Sequence, residues 1–400
     1  MRHVILGNSA AGFFGAIQIR QLNKEDEVII ISKETTPVYA KIMLPYYIGD
    51  DIDRDKLFLK DLQFYDKKDI KLLLDKKAQF IDTQKNKVML DDSSTYEYDK
   101  LLIATGGVPF VPPVEGLELV DFYTINCLDD ADNIKKDAKQ GKKALIIGSG
   151  LTGVEMSFAL SKLGMEVTLV EKGDRILPML LGNTASKVMA TYLREKGVKI
   201  YLQTTVEKVL PHDSQNRAIL TDGTELPFDM LIFAIGSRPN ISIVDGSPIK
   251  VSRGILVNEY MRTSVPNVFA AGDVSEPRFS TQNGFVSSYI WPNAMAQGRC
   301  AANNMLDYDI AFDTYGFQNT VQLKDIPFYS VGLIHPTESG YHVKATHDYE
   351  LSTYKRIVTK DNIIYGVQMI GDTRYAREAA SHIKNKEKLS TDELEKYITL

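Results

Sequence analysis

The sequence predicts an α/β protein made of two parallel-sheet modules followed by a small α+β domain. Three observations carry this. RHVILGNSAAG (2–12) and KALIIGSGLTG (143–153) are each an apolar strand running into a small-residue turn and a helical pattern. Each is followed by a second apolar strand, EVIIIS at 27–32 and EVTLVE at 166–171, so the chain holds two βαβ units. From about residue 316 the pattern changes to short strands (FYSVGLI, YKRIVT, IIYGVQMIG) and a closing helical segment, read as a separate domain.

A second echo supports the first. YDKLLIATGGVP (98–109) and FDMLIFAIGSRPN (228–240) both place an aromatic-Asp pair before an apolar strand that ends in Gly and Pro, and they read as the return strands closing each module. Residues 73–97 and 201–225 alternate in short runs broken by DTQKN, DDSS and TDGT, as β-meanders do.

Four hundred residues exceed one compact domain. An apolar fraction of 44% and a charged fraction of 25% are those of a globular protein. A net charge of −5 argues against nucleic acid as the main partner. No apolar run approaches the roughly 20 residues of a membrane span, and MRHVILGNSA lacks a signal-peptide pattern. Two distant cysteines, Cys127 and Cys300, do not make a disulfide framework. The expectation is a cytoplasmic protein without a metal-ligand cluster.

The turns carry the chemistry. In Gly148-Ser149-Gly150-Leu151-Thr152-Gly153 all three glycines of a dinucleotide turn are present, and the helix that follows offers free N–H groups and a positive dipole end to a diphosphate. Glu171 ends the next strand, placed for ribose hydroxyls. A carboxylate there repels a 2′-phosphate and favours NADH over NADPH, against Lys172 and Arg175 close by. The first turn, Gly7-Asn8-Ser9-Ala10-Ala11-Gly12, has serine in place of the middle glycine, which is small enough to serve. The corresponding acidic position is either Ser32, at the strand end, or Glu34 reaching back.

With GILVNEYMRTSVPNVFAAGDV (254–274), the ordered combination resembles the FAD/NAD-dependent pyridine nucleotide oxidoreductases. These two-dinucleotide-binding flavoproteins include glutathione reductase, NADH peroxidase and, nearest in layout, NADH:rubredoxin reductase. The resemblance spans roughly residues 1–305. It implies two Rossmann-like domains in a glutathione-reductase-like arrangement: an FAD-binding domain of 1–107 and 242–315, an NAD-binding domain of 108–241 inserted in it, and a small C-terminal domain of 316–400. It carries FAD contacts to Gly7, Ser9, Ala10, Ala11 and Gly12, to Ser32, Lys33, Glu34 and Lys41, and to Ala78, Ala104, Thr105 and Gly106. Gly272 and Asp273 of AAGD join these, as do Asn293, Ala294 and Gln297 of WPNAMAQG, a helix whose N-terminus would stabilise anionic reduced flavin. NAD contacts fall on Gly148, Gly150, Leu151, Thr152 and Gly153, on Glu155, Glu171 and Lys172, and on Ala234, Ile235 and Gly236.

PVYAKIMLPYYI (37–48) departs from the thiol-bearing branches of that family. Counting from Gly7, the position of their reactive cysteine falls on Ile42, and neither Cys127 nor Cys300 matches a family thiol position. The resemblance then implies electron flow from NADH through FAD to a one-electron carrier, rubredoxin or ferredoxin. Lys41 and Glu155 are the catalytic candidates, as an ion pair beside flavin N5; the alternative for Lys41 is a solvated loop lysine. Tyr39, Tyr46 and Tyr47 either shield the flavin or pack. Arg374, Arg377, Lys384, Lys386 and Lys388 either steer an acidic carrier or form a solvated helix face. Rival readings are an oxygen-reducing NADH oxidase, an NADH-sensing regulatory flavoprotein and the flavin subunit of a larger reductase. A homodimer is left open.

Overall fold

The computed structural model describes residues 1–277, 280–281, 284–285, 290–312, 318–323, 326–336 and 338–400. The first module is a five-stranded parallel sheet in the order Val268–Ala270, Lys100–Ile103, Arg2–Leu6, Glu27–Ile31, Ile70–Leu73. Its central strands carry near-continuous apolar runs and are buried along most of their length, and Val4, Ile29 and Leu101 stand side by side across it. The edge strand Val268–Ala270 comes from the far side of the second module, so that module lies between two parts of one sheet. A three-stranded antiparallel meander, Ala78–Asp82, Lys87–Leu90 and Thr95–Glu97, leads back to the return strand.

The second module repeats the plan with four parallel strands, Lys199–Leu202, Glu166–Glu171, Lys143–Ile147 and Met230–Phe233, and its own meander from Val206 to Phe228. The two chain crossings between modules pair with each other, Gly107–Pro109 running antiparallel to Ser237–Pro239. The boundary expected at 315/316 lies outside the described residues. The last domain is a five-stranded antiparallel sheet, Gln318–Leu323, Ile326–Gly332, Ile363–Ile370, Thr353–Lys360, His342–Asp348, backed by helices Ala376–Asn385 and Thr391–Glu395. The first of these helices buries Ala376, Ala379 and Ala380, while Arg374 folds back onto Asp372 through two hydrogen bonds of 2.9 and 2.8 Å.

Helix Ala10–Leu22 of the first turn lies against helix Trp291–Met305 at backbone contact. A Cβ at Gly298 would lie 2.1 Å from the Ala11 carbonyl oxygen, and one at Gly15 would lie 3.2 Å from that of Gly298. Gly298→Ala should therefore push the helices apart and lower stability by on the order of 1–3 kcal/mol, read as a reduced urea midpoint at unchanged m-value. An unchanged midpoint would show that the crossing relaxes freely.

Candidate functional site

Each module ends its first strand on a glycine that only glycine suits. Gly7 has φ +113° and Gly148 φ +101°. A Cβ at Gly7 would lie 2.2 Å from the Ala104 carbonyl oxygen, and one at Gly148 2.5 Å from that of Ala234. Gly12 and Gly153 repeat the crowding, at 1.9 Å from the carbonyl oxygens of Gly7 and Gly148. The middle positions differ. Ser9 (φ −117°, ψ −158°) and Gly150 (φ −67°, ψ −175°) are both extended, so a side chain is sterically allowed there, which is why serine serves in the first turn.

Neither Ser9 nor Gly150 caps its helix with a side chain. The first N–H groups of helices Ala10–Leu22 and Leu151–Lys162 therefore remain available to an anion. A Cβ at Gly150 would meet nothing within 4 Å, so the space before the second turn is open. Leu151 and Thr152 are half-buried in that helix's first turn, whereas Ala10 and Ala11 are buried in theirs. These features fit a diphosphate-linked dinucleotide at each turn.

The strand ends settle an equivalence the sequence left open. Gly7 N–H donates to the Ile31 carbonyl and Gly148 N–H to that of Val170, each at 2.8 Å, so Ser32 stands where Glu171 stands in the second module. Glu171 is aimed at its turn: it accepts from the Ser149 N–H (2.9 Å) and Oγ (2.7 Å) and from the Gly173 N–H (2.7 Å). Ser32 is buried, and its Oγ accepts from the Glu34 N–H at 3.2 Å. The Glu34 carboxylate is committed elsewhere. Lys33 and Lys172 are exposed two residues and one residue beyond their strand ends, and Ala78 opens the first meander, packed on the first core.

Lys41 does not pair with Glu155. Its Nζ donates to Glu34 Oε1 at 2.7 Å and to the Asn126 carbonyl at 3.0 Å, making it neither the expected N5 ion pair nor a solvated loop lysine. Tyr39 completes the cluster: its hydroxyl donates to Glu34 Oε2 at 2.5 Å and accepts from the Leu128 N–H at 2.9 Å. The physical reason is proximity. Glu34 precedes Lys41 on the same loop, and two donors converge on its carboxylate. Glu155, half-buried on helix Leu151–Lys162, has no hydrogen bond or ion pair among the described residues. Burial pushes its carboxyl up to about 8; Tyr46 is raised by its own burial first and then by the Glu155 charge. Tyr39 and Tyr47 are buried packing residues, the Tyr47 hydroxyl donating to Asp132 at 2.7 Å.

Asp273 is also without a hydrogen-bond partner among the described residues. Burial raises its carboxyl, and Lys41 opposes that rise, which places the lysine's charge on its side of the site. Gln297 accepts from the Gly272 N–H at 2.7 Å, and Gly272 approaches the Cβ atoms of Ala11 and Ala294, so the AAGD turn, the first helix and helix Trp291–Met305 meet at one point. Asn293 and Gln297 are buried there, and Ile290 starts the helix without a side-chain cap. Thr105 Oγ1 donates to the Asn240 carbonyl at 3.0 Å, whereas Gly106, Ile235 and Gly236 stand open at the two crossings.

Sequence reasoning gave Cys127 no family thiol position and no neighbours. It opens helix Leu128–Asp137 within electrostatic reach of Tyr39 and Glu34, and burial pushes its thiol up. Cys300 is a buried helix residue whose thiol burial raises to about 12. Both cysteines are free. Among the described residues no group of three His, Cys, Asp or Glu is placed to hold a metal ion, and no helix is long and apolar enough to cross a membrane.

Residues 1–298 match the family described as pyridine nucleotide-disulphide oxidoreductase, and 318–387 match the rubredoxin NAD+ reductase C-terminal domain. An assimilatory nitrate reductase electron transfer subunit of Bacillus subtilis is 31% identical over 93% of this chain; the chain spans about half of that relative, 48%. An NADH oxidase of Methanocaldococcus jannaschii is 30% identical over 98% of this chain and 93% of its own length. A rubredoxin-NAD(+) reductase of Alcanivorax borkumensis is 27% identical over 92% and 94%. Among solved structures, a covalent putidaredoxin reductase–putidaredoxin complex superposes with a TM-score of 0.88 at 24% identity, covering 98% of this chain and 95% of that one, a likeness of fold.

The lone carboxyl of Glu155 gives a direct test. Between its ordinary 4.5 and about 8 the folded chain keeps a proton that the unfolded chain releases. Stability therefore falls as pH rises through that window and levels off above it. Glu155→Gln should be near neutral at pH 5 and stabilising by on the order of 2–4 kcal/mol at pH 9, measured by urea denaturation of nucleotide-free protein. A difference that does not grow with pH would mean the carboxyl ionises normally.

Proposed function

The chain belongs to the pyridine nucleotide-disulphide oxidoreductase family, and from that premise we propose that it moves electrons from NADH through FAD to a small one-electron carrier protein, rubredoxin or ferredoxin, without a thiol relay. The observation that carries the reading is the pairing of two dinucleotide turns with a thiol-free loop: Ile42 stands at the loop position, and burial raises both free thiols. The match of 318–387 to a rubredoxin reductase domain and the likeness to carrier reductases support the carrier. The domain assignment is 1–107 with 242–315 for FAD, 108–241 for NAD and 316–400 for the C-terminal domain.

FAD, when bound, accepts a hydride's two electrons and returns them singly. The chain's own part is binding, orientation and charge. The helix starts at Ser9 and Gly150 would hold the diphosphates, with Ser32 toward the FAD ribose and Glu171 toward that of NADH. Asp273, without a hydrogen-bond partner among the described residues, would accept from a cofactor hydroxyl, and the start of helix Trp291–Met305 would stabilise negative charge on the reduced flavin. Lys41, fixed by Glu34, keeps one cation beside Asp273. Glu155, whose carboxyl burial pushes up to about 8, would hold a proton at neutral pH and could exchange it with a bound flavin. Glu171 presents a carboxylate, not a cation, to the ribose, which favours NADH.

Anaerobic stopped-flow mixing with NADH and then oxidised rubredoxin or ferredoxin tests this. Rapid bleaching followed by rapid reoxidation by one carrier is expected; bleaching that neither carrier reverses overturns the carrier. The relative named NADH oxidase supports a second reading, in which oxygen alone reoxidises the bleached protein at the turnover rate. Gly150→Ala should leave stability within about 0.5 kcal/mol, since its Cβ meets nothing, yet raise the KM for NADH at least roughly tenfold by standing where the diphosphate approaches. An unchanged KM would move the nucleotide off the second turn.

A further inference from the structure

The seam between the second module and the C-terminal sheet carries polar groups that the reading above does not use. Arg356 pairs with Gln368 and Gln368 with Ser330 across three adjacent strands, so the three side chains share one sheet face. Phe328, Tyr354 and Ile370 lie on that face too, packed in one apolar cluster with Val188 and Met189 of helix Asn183–Glu195. A polar row thus enters an apolar contact. Gln368 is fully buried; its Nε2 donates to the Leu180 carbonyl at 2.9 Å, and its Oε1 has no donor among the described residues. Arg356 Nε is buried without an acceptor, and its guanidinium makes no hydrogen bond or ion pair among the described residues.

Both side chains are directed at the same short stretch. Arg356 Nη1 and His335 Cε1 each lie 3.8 Å from where a Cβ on Gly182 would stand. Gly182 opens helix Asn183–Glu195 with no side-chain cap, leaving that helix start without a local anion. Arg175 closes the other side, its Nε donating to the Leu181 carbonyl at 3.1 Å. Asp174 is exposed and already bridged to Arg175. After burial, the positive charges of Arg356 and Arg175 are what disfavour a proton on His335. A half-buried guanidinium whose buried Nε has no acceptor, beside a second cation, is costly, and an oxyanion removes that cost.

We propose that this seam is a binding site for a phosphate oxyanion, held by Arg356 and His335 against the start of helix Asn183–Glu195, with Gln368 Oε1 accepting from a protonated phosphate oxygen. A bare halide would leave Gln368 without a donor; hydrogen phosphate satisfies both orphans. The source is free phosphate or the phosphate of a nucleotide, and the site requires both the second module and the C-terminal sheet.

Thermal unfolding of the full chain in inorganic phosphate against chloride at matched ionic strength tests it. Phosphate should raise Tm saturably, and Arg356→Gln should weaken that response roughly tenfold or more. The His335 ring resonances, identified by their loss in His335→Asn, should shift as phosphate is added to the wild type. AMP acting where adenosine does not would make a nucleotide the source; inorganic phosphate alone acting would make it the free ion. No saturable response, or an equal one in Arg356→Gln, overturns the proposal. Should Arg356→Gln fail to fold, His335 resonances unmoved by phosphate overturn it in the wild type.

Discussion

The constraint beneath the whole site is the approach of a return-strand carbonyl to the first glycine of each turn. Ala104 and Ala234 press their oxygens so close to Gly7 and Gly148 that no Cβ fits. The chain must therefore leave the strand with positive φ, and that reversal aims the next N–H groups away from the sheet and begins a helix there. The return strand is thus part of the turn as well as part of the sheet. It follows that ATGG and AIGS are as necessary to each site as the glycine turns, and that damage to a return strand would be felt at the diphosphate position.

The modules are held to each other by a wedge. Tyr39, Leu44, Tyr47, Ile48 and Leu57, all from the first module, are buried in the core of the second, and a Cβ on Gly49 would lie 3.0 Å from Ala159 Cα. Around this wedge run Arg54–Asp132, Lys135–Asp50 and Lys162–Asp51 ion pairs. Magnitude decides between the two contributions. Partly exposed pairs are worth about 0–1 kcal/mol each, whereas burying each large apolar side chain contributes about 1.5–3 kcal/mol. The apolar wedge holds the modules together, and the ion pairs fix its register. Tyr46 lies on the same helix as Leu44, Tyr47 and Ile48, within electrostatic reach of Glu155 on the second module.

Much of this was legible in the residues. Strand period and turn composition located both βαβ units and both meanders, because local patterns specify local structure, while the helix at 291 came from the family resemblance. The Ser32–Glu34 ambiguity needed a register, since only the Gly7–Ile31 hydrogen bond makes Ser32 the counterpart of Glu171. Cys127 was invisible as a neighbour of Tyr39 because the two are far apart in sequence and joined by the wedge. The seam residues Arg356 and Gln368 gave no signal at all: in an alternating strand a polar residue reads as outward-facing, and only the packing of that face against the second module buries it.

The partner of Lys41 bears on how charge is arranged around the flavin position. A lysine paired with Glu155 would have held that carboxylate ionised and placed a neutral pair between the modules. With Lys41 taken by Glu34 and the Asn126 carbonyl, the two remaining carboxyls are treated unequally. Burial raises the Asp273 carboxyl against the opposing charge of Lys41, whereas Glu155, with no opposing cation, is pushed up to about 8. Glu34, three residues past the strand end at Ile31 and remote from Glu155 in sequence, holds the one cation that would otherwise oppose that rise.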